Sequence, residues 1–187
     1  TLWFDPGGRV HGDNTDGIGL VRDLTLNHGC PLEGRRVLLV GAGGAARGVV
    51  GPLLEQNPEA LVVANRTPAR AEELAAGYGD EGPVHGTGLD ALAGERFHLV
   101  VNATSASIAG KVPALPEGLF GDDAWCYDMM YAAEATAFLR WAGEHGAAHL
   151  VDGMGMLVEQ AAESFRIWRG LRPDTAPVIR ELRARAP

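Results

Sequence analysis

A doubly wound α/β fold, a mostly parallel sheet with helices on both faces, is what this sequence predicts. Three observations point to it. Short, nearly all-apolar runs alternate with amphipathic stretches along most of the chain. The runs have no polar face, as expected of strands covered on both sides rather than strands with one face in water. Each of the central runs ends in glycines or small polar residues, the composition of strand-to-helix junctions.

Taken in order, residues 1–4 (TLWF) and 9–12 (RVHG) read as short strands around the turn signal DPGG. After DNTD, residues 17–29 carry Ile18, Leu20, Val21 and Leu24 in near-helical spacing and stop at Gly29. RRVLLV (35–40) is a compact strand running into glycines, and residues 44–57 read as a helix weakened in its middle by Gly51-Pro52. EALVVANRT (59–67) and RFHLVVNATS (96–105) are the next buried strands. Between them PARAEELAAGYG (68–79) is a helix with Pro68 allowed in its first turn. DAWCYDMMY (123–131) is a fourth buried strand and AAHLVDG (147–153) a fifth, with a helix over 133–146 between them. A long amphipathic helix over 154–170 and a last one over 176–186 complete the chain.

Composition narrows the function classes. Hydrophobic residues make up 46% and charged residues 21% of the 187, ordinary for a globular core. A formal charge of −8 argues against a nucleic-acid-binding surface. No apolar run approaches the roughly 18–20 residues of a membrane span, and TLWFDPGG has neither the basic region nor the apolar stretch of a secretion signal. Cys30 and Cys126 lie far apart and support neither a metal cluster nor a disulfide framework. The sequons at Asn65 and Asn102 are therefore not read as glycan sites, and a cytoplasmic location is expected.

The motif with the clearest chemistry is VLLVGAGGAARG. Gly41, Gly43 and Ala46 give the G-x-G-x-x-G/A spacing directly after a strand and at the opening of a helix. The first glycine permits a tight turn, the second lets backbone approach a pyrophosphate, and the small third residue lets helix pack on strand. Free N–H groups at the helix start then face the phosphates. In this strand–turn–helix context the spacing predicts a Rossmann-like dinucleotide site, the alternative being a glycine-rich turn made tight only for packing. At the end of the next strand an NAD site usually carries Asp or Glu for the ribose 2′-OH. Here stand Asn65, Arg66, Thr67 and Arg70, with no acid before Glu72. Guanidiniums fit a phosphate bidentately, so NADP(H) is the expected cofactor. Upstream, Asp13-Asn14-Thr15-Asp16 raises its own question, because Asp16 reads equally as an N-cap or first-turn acid and as an acid placed for chemistry.

With these motifs placed, the chain resembles the shikimate dehydrogenase family from its first residue to near its last. GDNTDG, GAGGAARG, NRTPAR, NATSASIAG, YDMMY and DGMGMLVEQAAESF occur in the family's order. The resemblance implies reversible hydride transfer from NADPH to the ketone of 3-dehydroshikimate, giving shikimate. It implies Asp16 as the catalytic acid paired with a lysine, with Asp16, Tyr131 and Gln160 on the substrate. Met129, Gly153 and Met156 are then expected near the nicotinamide. Gly41, Ala42, Gly43, Gly44 and Ala45, with Asn65, Arg66, Thr67 and Arg70, are expected to hold the rest of the cofactor. The sequence after Tyr131, AAEAT, lacks a proline frequent in the family.

The only lysine, Lys111, does not match the family's catalytic lysine. The chain is therefore expected to be a C-terminal part of such an enzyme. Residues 1–16 would be a remnant of a substrate domain and linker, 17–170 the cofactor domain, and 171–187 a helix packing back on the core or on the missing domain. It is expected to bind NADP(H) with little or no turnover, and to expose apolar surface around residues 1–10 that favours self-association as a homodimer. A non-catalytic NADP-binding module and a quinate/shikimate dehydrogenase paralogue are the competing readings.

Overall fold

The computed structural model describes residues 1–185, the side chain of Ile108 excepted. Its centre is a six-stranded, all-parallel sheet: β3 (Arg36–Val40), β4 (Ala60–Asn65), β5 (Val84–Gly88), β6 (Phe97–Asn102), β7 (Phe120–Asp128) and β8 (His149–Asp152). The spatial order is β5-β4-β3-β6-β7-β8. The chain builds outward from β3 to β5, then returns across the sheet to β6, so the strand order reverses between β3 and β6. A separate antiparallel hairpin, β1 (Leu2–Phe4) and β2 (Val10–Gly12), stands at the front of the chain.

The unbroken apolar strands have the expected cause. Val37 and Leu39 of β3 face one core, with Leu61, Val63, Leu99 and Val101 of its neighbours. Leu38 and Val40 face the other, with Val62, Val100 and Cys126. The first core is roofed by α1 (Asp16–Arg22), α2 (Gly44–Leu54), α3 (Pro68–Ala76) and the start of α5 (Met154–Arg169). The second is roofed by α4 (Ala137–Glu144) through Phe138, Leu139 and Ala142. Leu20 and Leu24 are fully buried in the first, and truncating either to Ala is expected to cost about 2–5 kcal/mol.

The α1 helix is wedged between α2 and α5 by glycines. A Cβ on Gly17 would collide with the Gly48 carbonyl and the Pro52 ring, and one on Gly19 would lie 2.8 Å from Gln160 Cβ. Pro52 sits inside α2; having no N–H, it leaves the Gly48 carbonyl without its helical partner, and Gly17 packs against that carbonyl. After Arg22 the helix widens into a π-turn, Asp23–Asn27. There Asp23, fully buried, accepts a hydrogen bond from the Tyr127 hydroxyl at 2.7 Å and one from Asn27 Nδ2 at 2.8 Å. Burial and the neighbouring Asp23 carboxylate push the Tyr127 phenol well above its usual range.

Two segments converge on buried Glu159 of α5: Arg22 and Asn27 (3.1 Å) from α1 and its π-turn, and Arg172 and Thr175 (2.7 Å) from the loop after α5. Burial works to raise this carboxyl, and the bonds from Thr175, Asn27 and Arg172 outweigh it, holding it below the ordinary value. Arg183 of α6 (Ala176–Arg185) reaches Asp152 at 3.0 Å, and α6 buries none of its described residues; Ala186, the last residue of the expected helix, lies outside the described residues. Leu2, Phe4 and Val10 are exposed, as are Trp168 and Leu171. The Trp168 indole N–H donates to the Leu2 carbonyl at 2.8 Å.

The sequence reading needs three corrections. It missed β5, whose VHGTG has two glycines in five residues; the strand is fixed by pairing with β4 and by Gly86 lying directly under Ala71 of α3. It began α4 too early: Thr136 is extended and its hydroxyl accepts the Leu139 N–H at 3.2 Å, so the helix starts after it. It placed β7 three residues too late at both ends: a register shift against β6 between Phe97 and Leu99 separates the Phe120 end from the apolar run, and Met129–Tyr131 lie beyond the strand. Among the described residues no helix is long and apolar enough to cross a membrane.

Candidate active site

The carboxyl ends of the six strands face one groove of about 1060 Å³. In a doubly wound sheet this end, at the reversal of strand order, is where ligands sit. The groove runs from the β4–β5 side, past the loop after β3, to the β6–β7–β8 side.

Its middle is the glycine loop. Gly41 has φ +115°, a conformation L side chains rarely adopt, and its Cα faces the Ala103 carbonyl. Gly43 caps α2 without a side-chain bond, and a Cβ on Gly43 or Gly44 would meet nothing within 4 Å. The first N–H groups of α2 therefore open into space at the positive end of the helix dipole, an anion cradle made of backbone. Ala46 is fully buried where α2 meets the sheet.

At one end stand Arg66 and Arg70, both exposed and neither in an ion pair among the described residues. Asn65 ends β4 and turns the chain, its Nδ2 donating to the Thr67 carbonyl at 3.0 Å. Two unpaired guanidiniums at the start of α3 oppose that helix's dipole and suit a dianionic group. These observations fit a dinucleotide with a 2′-phosphate. Thr67 is the exception among the expected cofactor residues: it precedes α3 without a capping bond and does not line the groove.

At the other end the groove is lined by Met129, Gly153 and Met156, with Asp16, Tyr131 and Gln160 at its rim. A Cβ on Gly153 would collide with the Met129 carbonyl, so the β7 and β8 ends can meet only with glycine there. In the DNTD segment Asp16 is the first residue of α1 and so a first-turn acid at the positive end of that helix. Asn14 takes the local turn, its Oδ1 accepting the Asp16 N–H at 2.9 Å. Buried Thr15 points inward to Gln160 (3.2 Å) and Ser164 (3.1 Å). The half-buried Asp16 carboxylate has no hydrogen-bond or ion-pair partner among the described residues, and it lines the groove. Gln160 is held at both ends, accepting from Thr15 and donating to the Leu157 carbonyl at 3.0 Å.

Sequence reasoning missed other parts of the wall. Leu89 follows β5, Thr104 and Ser105 follow β6, and Lys111 and Val112 come from the loop beyond them. NATS carried the signal for Thr104, a polar stop directly after an apolar strand. Nothing in the sequence distinguished Lys111 as a groove residue.

Fold and groove define a Rossmann-like domain with an anion-binding crevice at its switch point. Residues 24–109 match the family model described as shikimate / quinate 5-dehydrogenase, and residues 153–183 that of the shikimate 5'-dehydrogenase C-terminal domain. Over 176 residues the chain is 59% identical to a shikimate dehydrogenase (NADP(+)) of Alkalilimnicola ehrlichii, covering 94% of this chain and 65% of that protein. The chain belongs to the shikimate dehydrogenase family.

A solved Ael1 enzyme from Pseudomonas putida superposes with a TM-score of 0.90 at 49% identity, over 97% of this chain and 66% of its own. The shikimate 5-dehydrogenase of Thermus thermophilus, solved with NADP(H) and shikimate, gives 0.79 at 36% identity, over 96% and 65%. The chain spans about two thirds of the length of the curated relatives it matches.

Proposed function

We propose that this chain is the cofactor-bearing part of an NADP-dependent shikimate dehydrogenase, interconverting 3-dehydroshikimate plus NADPH and shikimate plus NADP⁺. The observation that carries the reading is one groove with unpaired Arg66 and Arg70 at one end and the uncommitted Asp16 carboxylate at the other. A relative solved with both NADP(H) and shikimate supports it.

In this reading the N–H groups opening α2 bind the pyrophosphate, Gly43 and Gly44 leave it room, and Arg66 and Arg70 neutralise the 2′-phosphate. When bound, NADPH supplies the hydride. Met129, Gly153 and Met156 form the apolar floor of the reacting end and keep water from it. Reduction of a ketone needs a hydride on carbon and a proton on oxygen. Asp16 accepts a substrate hydroxyl and supports the ammonium that delivers or removes that proton. Tyr131 offers a hydroxyl at the rim, and Gln160 can exchange its Leu157 carbonyl for a substrate hydroxyl. Residues 17–170 act as the cofactor domain and 1–16 as the link to substrate binding. No lysine except Lys111 occurs in the chain, so on its own it binds NADP(H) with little or no turnover. A cytoplasmic location fits this role.

The test is a calorimetric titration with NADP⁺ and NAD⁺, alongside shikimate oxidation followed at the NADPH absorbance. NADP⁺ binding tighter than NAD⁺ with negligible turnover is expected. Full turnover would overturn the assignment of the proton to an absent lysine. Failure to bind either nucleotide would overturn the cofactor reading.

A further inference from the structure

The wall of the groove on the β6–β7 side rests on one buried carboxylate. Asp128, the last residue of β7, is fully buried, and no cation lies within ion-pair distance of it among the described residues. Four donors converge on it instead. Oδ1 accepts from Asn102 Nδ2 and from the Met130 N–H, each at 3.1 Å. Oδ2 accepts from the Ser107 and Thr136 hydroxyls, each at 2.6 Å. Those short distances are typical of hydroxyls donating to carboxylate.

The donors come from separate segments, two of which form groove wall. Asn102, also fully buried, ends β6; its Oδ1 accepts from the Thr104 N–H (3.1 Å) and hydroxyl (2.8 Å), and its Nδ2 reaches Ser107 as well (3.1 Å). Thr104, Ser105 and Ala106 line the groove. On the other side the Met130 N–H fixes the turn that presents Met129 and Tyr131, and the Met130 carbonyl accepts the Gly153 N–H at 3.0 Å. Thr136 lies away from the groove, at the start of α4.

We infer that Asp128 is a positioning residue for the reacting end of the cofactor, fixing both loops of that wall while touching neither cofactor nor substrate. This rests on the cofactor reading above. A plain structural carboxylate would stabilise the fold evenly. Asp128 instead governs only the half of the groove beyond β3, leaving the Arg66/Arg70 end independent. An amide at this position keeps the shape but can accept at only one of its two atoms, so the hydroxyls of Ser107 and Thr136 must reverse.

The test compares two probes, NADP⁺ and 2′,5′-ADP, the latter carrying only the half that reaches Arg66 and Arg70. For Asp128→Asn, the Kd of NADP⁺ should rise about tenfold, the effect of losing one or two hydrogen bonds of placement, with 2′,5′-ADP unchanged. Ser107→Ala, milder and certain to keep the carboxylate, should move NADP⁺ in the same direction and serves if Asp128→Asn does not fold. Thr136→Val removes a donor from the same carboxylate outside the groove; it should lower Tm and leave both affinities alone. Parallel losses for the two probes in Asp128→Asn or Ser107→Ala, or a Thr136→Val loss matching that of Ser107→Ala, would overturn the inference. Wild-type protein that binds neither probe would overturn the cofactor reading and the inference with it.

Discussion

Replacing Arg66 and Arg70 together by alanine separates what these residues do for a ligand from what they do to the fold. Both are exposed at the β4 end of the groove with no ion pair among the described residues. A hydrogen bond to a charged group contributes about 1.5–3 kcal/mol, and exposure favours the low end, so two arginines on one phosphate give about 3 kcal/mol. That is about a hundredfold in Kd. The loss should fall on NADP⁺ alone, since NAD⁺ has no 2′-phosphate to lose contact with. Stability should move the opposite way. Arg70 sits in the first turn of α3 and Arg66 just before it, where cations oppose the dipole. Relieving that should return about 0.5 kcal/mol, or about 1–2 °C in Tm for a chain of this size. Isothermal titration with both nucleotides and a thermal melt give the two readings. Equal losses for NADP⁺ and NAD⁺, or a lower Tm with NADP⁺ affinity intact, would refute the reasoning.

Other expectations follow from the same geometry. Gly19→Ala places a methyl 2.8 Å from Gln160 Cβ and 2.9 Å from the Met156 carbonyl. Overpacking of about 1–3 kcal/mol should lower the urea midpoint, and an unchanged midpoint would show that α1 is looser than described. Gly43→Ala meets nothing in the protein, so the urea midpoint should hold while NADP⁺ binding falls; retained binding would move the pyrophosphate elsewhere. Glu159→Gln should cost about 2 kcal/mol near neutral pH, low for a broken buried pair because Arg22 keeps contact with water. Because Glu159 is held below its ordinary value, its contribution is present above about pH 4.3 and disappears as pH falls through the lowered value. Melts from pH 7 to 3 should show the gap to wild type closing, and a constant gap would contradict this. Burial pushes the Cys30 thiol up to about 12 and Cys126 well above its usual range. A disulfide reagent should therefore find no reactive thiol in native protein and two in urea; rapid native labelling would mean the core opens.

The sheet was legible because a strand buried on both faces must be apolar throughout, and β3, β4 and β6 carry that requirement openly. β5 was not, since its two glycines answer to the close approach of Ala71, a contact made across sequence. The glycine loop and the Arg66/Arg70 pair were legible because their chemistry is local to a few residues. Asp16 was ambiguous for a definite reason: it opens α1 as a first-turn acid, a role readable from its neighbours, whereas the groove it also lines is built with residues far along the chain. Asp128 and Asn102 looked like polar ends of apolar strands. Their roles depend on the loops they hold, which only the closed sheet brings together.

The wedge of α1 between α2 and α5 bears on how the protein is made. Residues 16–22 leave the ribosome well before part of the surface they dock against, which lies in residues 154–169. At about 5–20 residues per second, the helix that carries Asp16 waits about 7–30 s for its second flank. During synthesis the face of α1 that meets α5 therefore stays uncovered for that interval. An internal seed, β3 with β4 and α2, can close before then, so the reacting end of the groove should be the last part of the molecule to acquire its shape.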